Sequence, residues 1–216
     1  MDIRAYDKSY LSYAQSILGH AVDFATISLR IEPDVFGNAF AVSSVSEQFG
    51  NGNPRYIAGI NGCELARQVL DETHVPYTDT DDAMYLDKSP EYWAGWALGY
   101  YQWFSSLSFM DILNAVPLSR IIEMYPTYHE MDIRQFTDHM DELLKLAYPL
   151  TRLKVMRQAS GLSQSELAAD SDVALRQIQL FEQRQRDINH AAAITLLKLS
   201  KSLHCHMEDL MELQSP

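Results

Sequence analysis

The chain has 216 residues, a formal net charge of −12 and 47% hydrophobic residues. This length allows one large domain or two modest ones, and the hydrophobic content excludes a globally disordered chain. Two cysteines are too few for a disulfide framework and fit a reducing cytosol. Because the sequence shows neither a signal peptide nor an apolar run of the roughly 18 residues that a membrane span needs, we expect a cytoplasmic protein with no membrane partner.

The charge is distributed unevenly along the chain. Residues 1–150 contain 9 Lys and Arg against 21 Asp and Glu, whereas residues 151–216 contain 8 of each. The acidity therefore belongs to the first part of the chain. Such an asymmetry predicts two units with different partners.

Apolar residues at helical spacing predict an all-α first domain over residues 1–149. The first helix is predicted over residues 10–29. Pro33 suits the first turn of a second helix that reaches Phe49, where the string FGNGNPR ends it. A third helix is predicted over residues 54–73, followed by a polar surface loop over residues 75–90.

The most aromatic stretch of the chain, EYWAGWALGYYQWFSSL, follows the helix-start signal Ser89-Pro90-Glu91. Because it is apolar nearly all round, it predicts a central core helix, and the alternative is the wall of an aromatic ligand pocket. Two short helices around Pro117 and a last helix over residues 132–146 complete the domain. We place the domain boundary at Pro149.

The last part of the chain, residues 150–216, contains a dense set of helix signals. Ser163 and Glu166 have the spacing of a capping box, which starts a helix after the one predicted over residues 153–159. A third helix, which ends at Glu182, is buried against the second by Ile178 and Phe181, and two more helices are predicted over residues 191–203 and 207–213. Small or apolar residues stand where helices cross or a turn closes: Ala168, Val173, Ile178 and Phe181.

Five short helices with this spacing resemble the xenobiotic-response-element family, the Cro and phage-repressor type of helix-turn-helix, over about residues 150–212. The motifs that carry the resemblance are LKVMR, GLSQSELA, the apolar turn residue, the IxxFE ending and LLKLSKSLHCHMEDL.

The resemblance implies a transcription regulator, a repressor, that binds a double-stranded DNA operator as a homodimer over two half-sites, with no cofactor, no metal and no catalytic residue. Arg176 is the predicted base reader, because arginine pairs bidentately with guanine O6 and N7. Gln177 and Gln179 suit adenine or phosphate, and Arg184 and Arg186 are expected at the DNA backbone. The full predicted DNA-binding set is Gln164, Ala174, Leu175, Arg176, Gln177, Gln179, Arg184 and Arg186.

Departures from the family pattern leave an alternative open. Asp172 stands at the turn, where a small residue is usual and a left-handed backbone is required, which Asp tolerates. Leu175 and Leu180 occupy positions that are often polar, so the unit could instead contact a protein, neutralising a partner toxin without reading DNA. Arg157 either reaches a phosphate or pairs with Glu182.

Three roles remain open for residues 1–149. The acidic surface could bind a basic protein, which would make the chain an antitoxin-like autoregulator. The aromatic core could bind a small molecule, or the domain could only dimerise.

Weaker patterns suggest metal or enzyme chemistry. His204-Cys205-His206 resembles a metal motif, but adjacent residues point in different directions. The R-x(4–6)-H pattern of helical HEPN ribonucleases, a minor alternative function, is loose enough to occur by chance. Its matches are Arg67/His74, Arg134/His139 and Arg184/His190. His129-Glu130 and His20/Asp23 could form general-base pairs, yet we expect no enzyme.

Overall fold

The computed structural model describes residues 4–82 and 88–212, and over these ranges the chain forms helices and loops without a strand. The predicted all-α class is therefore confirmed. The chain divides into two compact units, Met1–Leu144 and Lys145–Pro216. Within the described ranges, no helix combines the length and the apolar character that crossing a bilayer requires.

Most helices of the first unit follow one another through short loops, and a longer connection separates the fifth helix from the sixth. A 3-10 turn precedes α1, and a π-helical turn over Phe24–Ser28 follows it. The helices are α1 (Leu11–Asp23), α2 (Pro33–Val42), α3 (Ser44–Gly50), α4 (Pro54–Ala58), α5 (Gly62–Glu72), α6 (Pro90–Ser105), α7 (Phe109–Ala115), α8 (Leu118–Glu123), α9 (Tyr125–Tyr128) and α10 (Ile133–Ala147), whose residues from Lys145 onward fall in the second unit. Between α5 and α6, residues 75–82 are mostly exposed and carry no helix, as predicted, and residues 83–87 of this loop lie outside the described ranges.

Two helices predicted as continuous are each broken in two. Ser43 has an extended backbone (ψ 150°), and its Oγ accepts the N–H of Ser46 at 3.2 Å, which starts α3. Asn61 likewise accepts the N–H of Glu64 at 2.8 Å and starts α5 after α4 ends at Gly59. The predictions over Pro33–Phe49 and residues 54–73 were wrong, because short polar side chains stabilise a new helix start where apolar spacing alone suggests continuation.

The aromatic helix α6 forms the core of the first unit, as its composition predicts. It packs against α1, and its Trp93, Tyr101 and Trp103 are buried. The two backbones approach closely at Gly95, where a Cβ atom would lie 2.5 Å from the Leu18 carbonyl oxygen. The absence of a side chain at Gly95 therefore allows the backbones of α1 and α6 to approach this closely.

The second unit contains α11 (Arg152–Ala159), α12 (Gln164–Ser171), α13 (Leu175–Glu182) and α14 (Ala193–Ser202). The predicted capping box is present: Glu166 N–H donates to Ser163 Oγ at 3.1 Å, and Ser163 N–H donates to Glu166 Oε2 at 2.8 Å. The helices share a core whose fully buried members include Leu153, Leu167, Ile178 and Leu199.

The structure corrects the prediction of a helix over residues 207–213. In its described part only Glu208–Leu210 is helical, as one 3-10 turn. Glu212 N–H donates to Asn189 Oδ1 at 2.9 Å, and Asn189 Nδ2 donates to the Glu212 carbonyl at 2.9 Å. The backbone of Glu212 is therefore bonded to another segment and not to a preceding helical turn.

Gly95→Ala should lower the free energy of unfolding of the first unit by about 1–3 kcal/mol, because the new methyl group meets a carbonyl oxygen that cannot move without shifting α1. Gly99→Ala is the matched control on the same helix, since its Cβ would lie 3.5 Å from the nearest atom, an ordinary contact. We expect it to be neutral or stabilising by up to about 1 kcal/mol through helix propensity. Urea unfolding followed by tryptophan fluorescence measures both, because the three tryptophans of the chain lie in α6. Equal effects of the two substitutions would contradict the close-approach argument.

Candidate nucleic-acid interface

Helices α12 and α13 are joined by a three-residue turn, Asp172 to Ala174. Asp172 has φ 50° and ψ 40°, the left-handed conformation predicted for this position. Its carboxylate accepts a hydrogen bond from Lys198 Nζ at 2.7 Å, and this contact lowers the pKa of Asp172. Val173 is buried and closes the turn against the core. The negative charge of Asp172 is therefore paired with a lysine.

A buried ion pair fixes the end of α13 to α11. Arg157 Nε lies 2.6 Å from Glu182 Oε1, and Arg157 Nη2 lies 3.0 Å from Glu182 Oε2. The hydrogen bonds raise the pKa of Arg157. Burial raises the pKa of Glu182, but hydrogen bonds from Arg157 and Gln164 outweigh burial, so the net pKa is lowered. Of the two roles left open for Arg157, the structure has the pairing with Glu182.

Gln164 also contacts this pair. Its Nε2 donates to Glu182 Oε2 at 2.8 Å, which ties the first residue of α12 to the last residue of α13. Its side chain thus holds the end of α13, the predicted reading helix, against the start of α12. Partial exposure leaves it at the surface of the unit.

The outer face of α13 carries most of the predicted DNA-binding residues. The inner face buries Ile178 and Phe181, whereas Arg176 is exposed and Gln177 and Gln179 are partly exposed. Leu175 is 36% exposed. The structure therefore brings the side chains of residues 174–179 together at the beginning of one helix.

Ala174 stands at the N-cap position of α13. It makes no side-chain cap because alanine has no oxygen, so the first N–H groups of the helix are not satisfied by a capping residue. The N-terminus of a helix with exposed N–H groups favours anions such as phosphate.

Arg184 is engaged inside the second unit. Its Nη1 donates to the Pro149 carbonyl at 2.8 Å, and its Nη2 donates to the Tyr148 carbonyl at 3.1 Å and lies 3.4 Å from Glu212 Oε2. No sequence pattern could indicate this role of Arg184, because two of the acceptors are backbone atoms of the segment before α11. Arg186 is exposed at the surface beyond α13.

The residues of the ribonuclease pattern have other partners. Arg67 makes ion pairs with Asp79 and Asp82, both at 2.7 Å. His139 stacks on Tyr128 with ring centroids 5.5 Å apart. These contacts hold two of the three matches in separate structural interactions.

The other histidines of interest are similarly placed. His20 Nε2 lies 3.0 Å from Lys88 Nζ, while Asp23 accepts a hydrogen bond from Ser89 Oγ. His129 Nε2 lies 3.5 Å from Glu130 Oε1, at the exposed surface. His204 has a left-handed backbone (φ 52°) after α14. The described residues contain no cluster of three or more His, Cys, Asp or Glu side chains that could hold a metal ion.

Comparison with protein-family models, with curated proteins and with solved structures finds no match to this chain. The resemblance of residues 150–212 to the xenobiotic-response-element family therefore stays a prediction that rests on the residues and their spacing.

Arg157→Met should destabilise the second unit by about 3–5 kcal/mol at pH 7, because it leaves the Glu182 carboxylate buried without its cation. Adding Glu182→Leu should restore most of the loss, since a packed apolar pair replaces the ion pair. Amide hydrogen exchange of peptides from α12 and α13 measures the change, and Lys201→Met on an exposed site is the control, expected within about 0.5 kcal/mol. A double variant as unstable as Arg157→Met would contradict this account.

The same pair predicts a pH dependence. The lowered pKa of Glu182 in the folded state means that its contribution is fully present above the ordinary value of 4.5 and is lost as the pH falls through the folded-state pKa. On acidification below about pH 4.5, the native chain should therefore lose amide protection relative to the double variant Arg157→Met/Glu182→Leu. A difference that stays constant between pH 7 and the acid limit of folding would contradict it.

Proposed function

We propose that this protein is a sequence-specific DNA-binding transcription regulator, acting as a repressor, in which residues 150–216 read the operator. The observation that carries the proposal is the outer face of α13. A helix that buries Ile178 and Phe181 against α12 presents Arg176, Gln177 and Gln179 outward from its first turns. In helix-turn-helix proteins, side chains in this position enter the major groove.

The chemistry of this face suits base edges. Arg176 would donate to guanine O6 and N7, and Gln177 and Gln179 would bind adenine or phosphate. Leu175 would contact a thymine methyl group. The uncapped N-terminus at Ala174 would lie against a phosphate, since the helix dipole and free N–H groups favour an anion there.

Phosphate contacts would come from residues around this face. Arg186 is exposed and available for the DNA backbone. Arg184 would first have to leave the Tyr148 and Pro149 carbonyls, so its contact with DNA competes with a contact inside the unit. Gln164 would bind a phosphate with the part of its amide that Glu182 does not use.

The net charge of −12 is compatible with this function because of where the charge lies. Residues 151–216 are balanced, and phosphate attraction is screened beyond a Debye length of about 8 Å at physiological salt. The pairing of Asp172 with Lys198 reduces the local repulsion further. The acidic charge predicts weak non-specific binding to DNA.

A homodimer would give the affinity that one small reading unit lacks, because it reads two half-sites about one helical turn apart. The aromatic-rich first domain would supply much of the interface, since aromatic residues are enriched in interface cores. A monomer at micromolar concentration in light scattering, both with and without operator DNA, would rule the dimer out.

An antitoxin role would use the acidic first domain, whose carboxylates attract a basic protein partner at rates that fall as salt rises. The chain would then repress its own operon while a toxin partner adjusts the occupancy. Co-purification of the full chain with a stoichiometric basic protein that elutes at high salt is the expected result. Recovery of the chain alone at low salt would contradict this role.

A second candidate function has its own observation. Leu175 is 36% exposed, and Ile194 and Leu197 on α14 are 59% and 37% exposed, so the second unit presents apolar side chains as well as polar ones. A unit that contacts only a partner protein would use these side chains. Selection of DNA sequences by the full chain separates the two functions.

Arg176→Ala should weaken binding to the selected operator by about 1–3 kcal/mol and relax the preference at one base position. Arg186→Ala should weaken all sequences evenly and reduce the salt slope by about one phosphate contact. Arg120→Ala, an exposed arginine of the first unit, is the control and should change neither. The measurement is selection from a random duplex library at low salt, followed by titration of the enriched sequence. If the full chain enriches no sequence, the DNA-reading proposal fails and the protein-contact function takes its place.

A further inference from the structure

An open groove lies in the first unit beside the N-terminal half of α6. Its volume is about 560 Å³, within the range of about 300–1,000 Å³ that is usual for small-molecule sites. The aromatic residues that line it are Tyr92, Trp93, Trp96, Tyr125 and Tyr128. No residue of this groove belongs to the predicted DNA-binding set.

The aromatic walls are held in place by one another. Trp93 meets Tyr125 edge-on with ring centroids 5.8 Å apart, and Tyr125 stacks on His129 at 4.3 Å. On its other side Trp93 packs against the buried Phe136 at 5.4 Å. Because these contacts fix the rings before any ligand enters, little conformational freedom is lost on binding.

One wall of the groove already faces a cation. The Lys88 ammonium lies 4.0 Å from the centre of the Tyr92 ring, and Lys88 Nζ is 3.0 Å from His20 Nε2. Burial, together with the Lys88 charge, lowers the pKa of His20. The neutral imidazole therefore accepts a hydrogen bond from the Lys88 ammonium, and the ring face of Tyr92 lies against this positive charge.

The groove also has a carboxylate. Asp132 lines it, and its Oδ1 accepts the N–H of Arg134 at 2.9 Å, which positions the side chain at the start of α10. Asp132 is exposed and supplies a formal negative charge among the residues that line the groove. The surrounding residues 1–150, with 21 acidic against 9 basic side chains, add a field that attracts cations.

We infer that this groove binds a small organic ammonium ion. Aromatic faces attract such ions through the ring quadrupole, and quaternary ammonium groups are held in this way by aromatic cages. Asp132 supplies the counter-charge, and the ligand displaces the Lys88 ammonium from the face of Tyr92. Lys88 alone would favour an anion in the groove. The net negative charge of the first unit repels anions, however, so we expect a cation. This binding does not depend on DNA recognition by residues 150–216.

The test is binding of benzyltrimethylammonium to the full chain at pH 8, where His20 stays neutral. Quenching of tryptophan fluorescence reports it, since Trp93 and Trp96 line the groove, and calorimetry gives the stoichiometry. Benzenesulfonate, which has the same ring and the opposite charge, is the matched probe. We expect one site for the cation and no saturable binding of the anion.

Two substitutions test the sign of the charge preference. Asp132→Asn keeps an oxygen that can cap α10. It should weaken binding of the cation about fivefold or more, because an interaction of about 1 kcal/mol with the nearby carboxylate is lost. Lys88→Ala frees the ring of Tyr92 and removes a like charge, so it should tighten binding about fivefold. Asp138→Asn, an exposed carboxylate on the same helix outside the groove, is the control and should have an effect below about twofold.

The opposite signs, weaker binding with Lys88→Ala and tighter binding with Asp132→Asn, would overturn the inference and assign the groove to an anion. No binding of benzyltrimethylammonium at millimolar concentration, or binding that none of the three substitutions changes, would also overturn it. Circular dichroism spectra that match the native chain show that each variant is folded, so that a loss of binding is not a loss of fold.

Discussion

The buried pair between Arg157 and Glu182 holds the second unit together. It joins α11 to the end of α13, and Gln164 adds the start of α12 through the same carboxylate. Arg157 Nη1 also donates to the Leu162 carbonyl at 2.7 Å, so this carbonyl in the loop between α11 and α12 has a hydrogen-bond donor. Hydrogen bonds to the Glu182 carboxylate thus connect α11, α12 and α13. The angle at which α13 presents its outer face depends on these bonds. A buried ion pair contributes little net free energy compared with an apolar pair, but it tolerates few alternative geometries.

For the DNA recognition that we propose, the polar residues of the second unit divide into two kinds. Arg157 and Glu182 lie beneath the outer face and position it, with Gln164 bridging to the surface. Arg176 and Arg186 lie at the surface and are available to a ligand. This division follows from burial, because a charged side chain that loses water must find a partner within the fold.

Arg184 belongs to neither kind. It connects the segment before α11 to the end of the described chain, through the Tyr148 and Pro149 carbonyls and the Glu212 carboxylate. The same carboxylate accepts the N–H of Arg152 at 2.6 Å, so the beginning of α11 is tied to Glu212 as well. Arg184 is therefore bonded to the segment that precedes α11. A ligand that binds the Arg184 guanidinium must first break these hydrogen bonds.

Local sequence determined the parts of this protein that depend on a few neighbouring residues. The capping box of Ser163 and Glu166 and the start of α6 at Ser89 were predicted, because each is a contact within about four residues. The left-handed backbone at Asp172 was implied by the family resemblance, and the structure has it. The aromatic composition of α6 likewise predicted a core helix, since its residues are apolar nearly all round.

Only the tertiary structure decided the rest, because it depends on residues far apart in the chain. Trp93 and Tyr125 line one groove although 32 positions separate them, and Arg184 bonds to the Pro149 carbonyl, 35 positions away. The breaks at Ser43 and Asn61 are different, because each is made by a cap between residues three positions apart that the apolar spacing did not reveal. Periodicity reports which side of a helix is buried, whereas the partner that buries it is chosen by the packing of the whole unit.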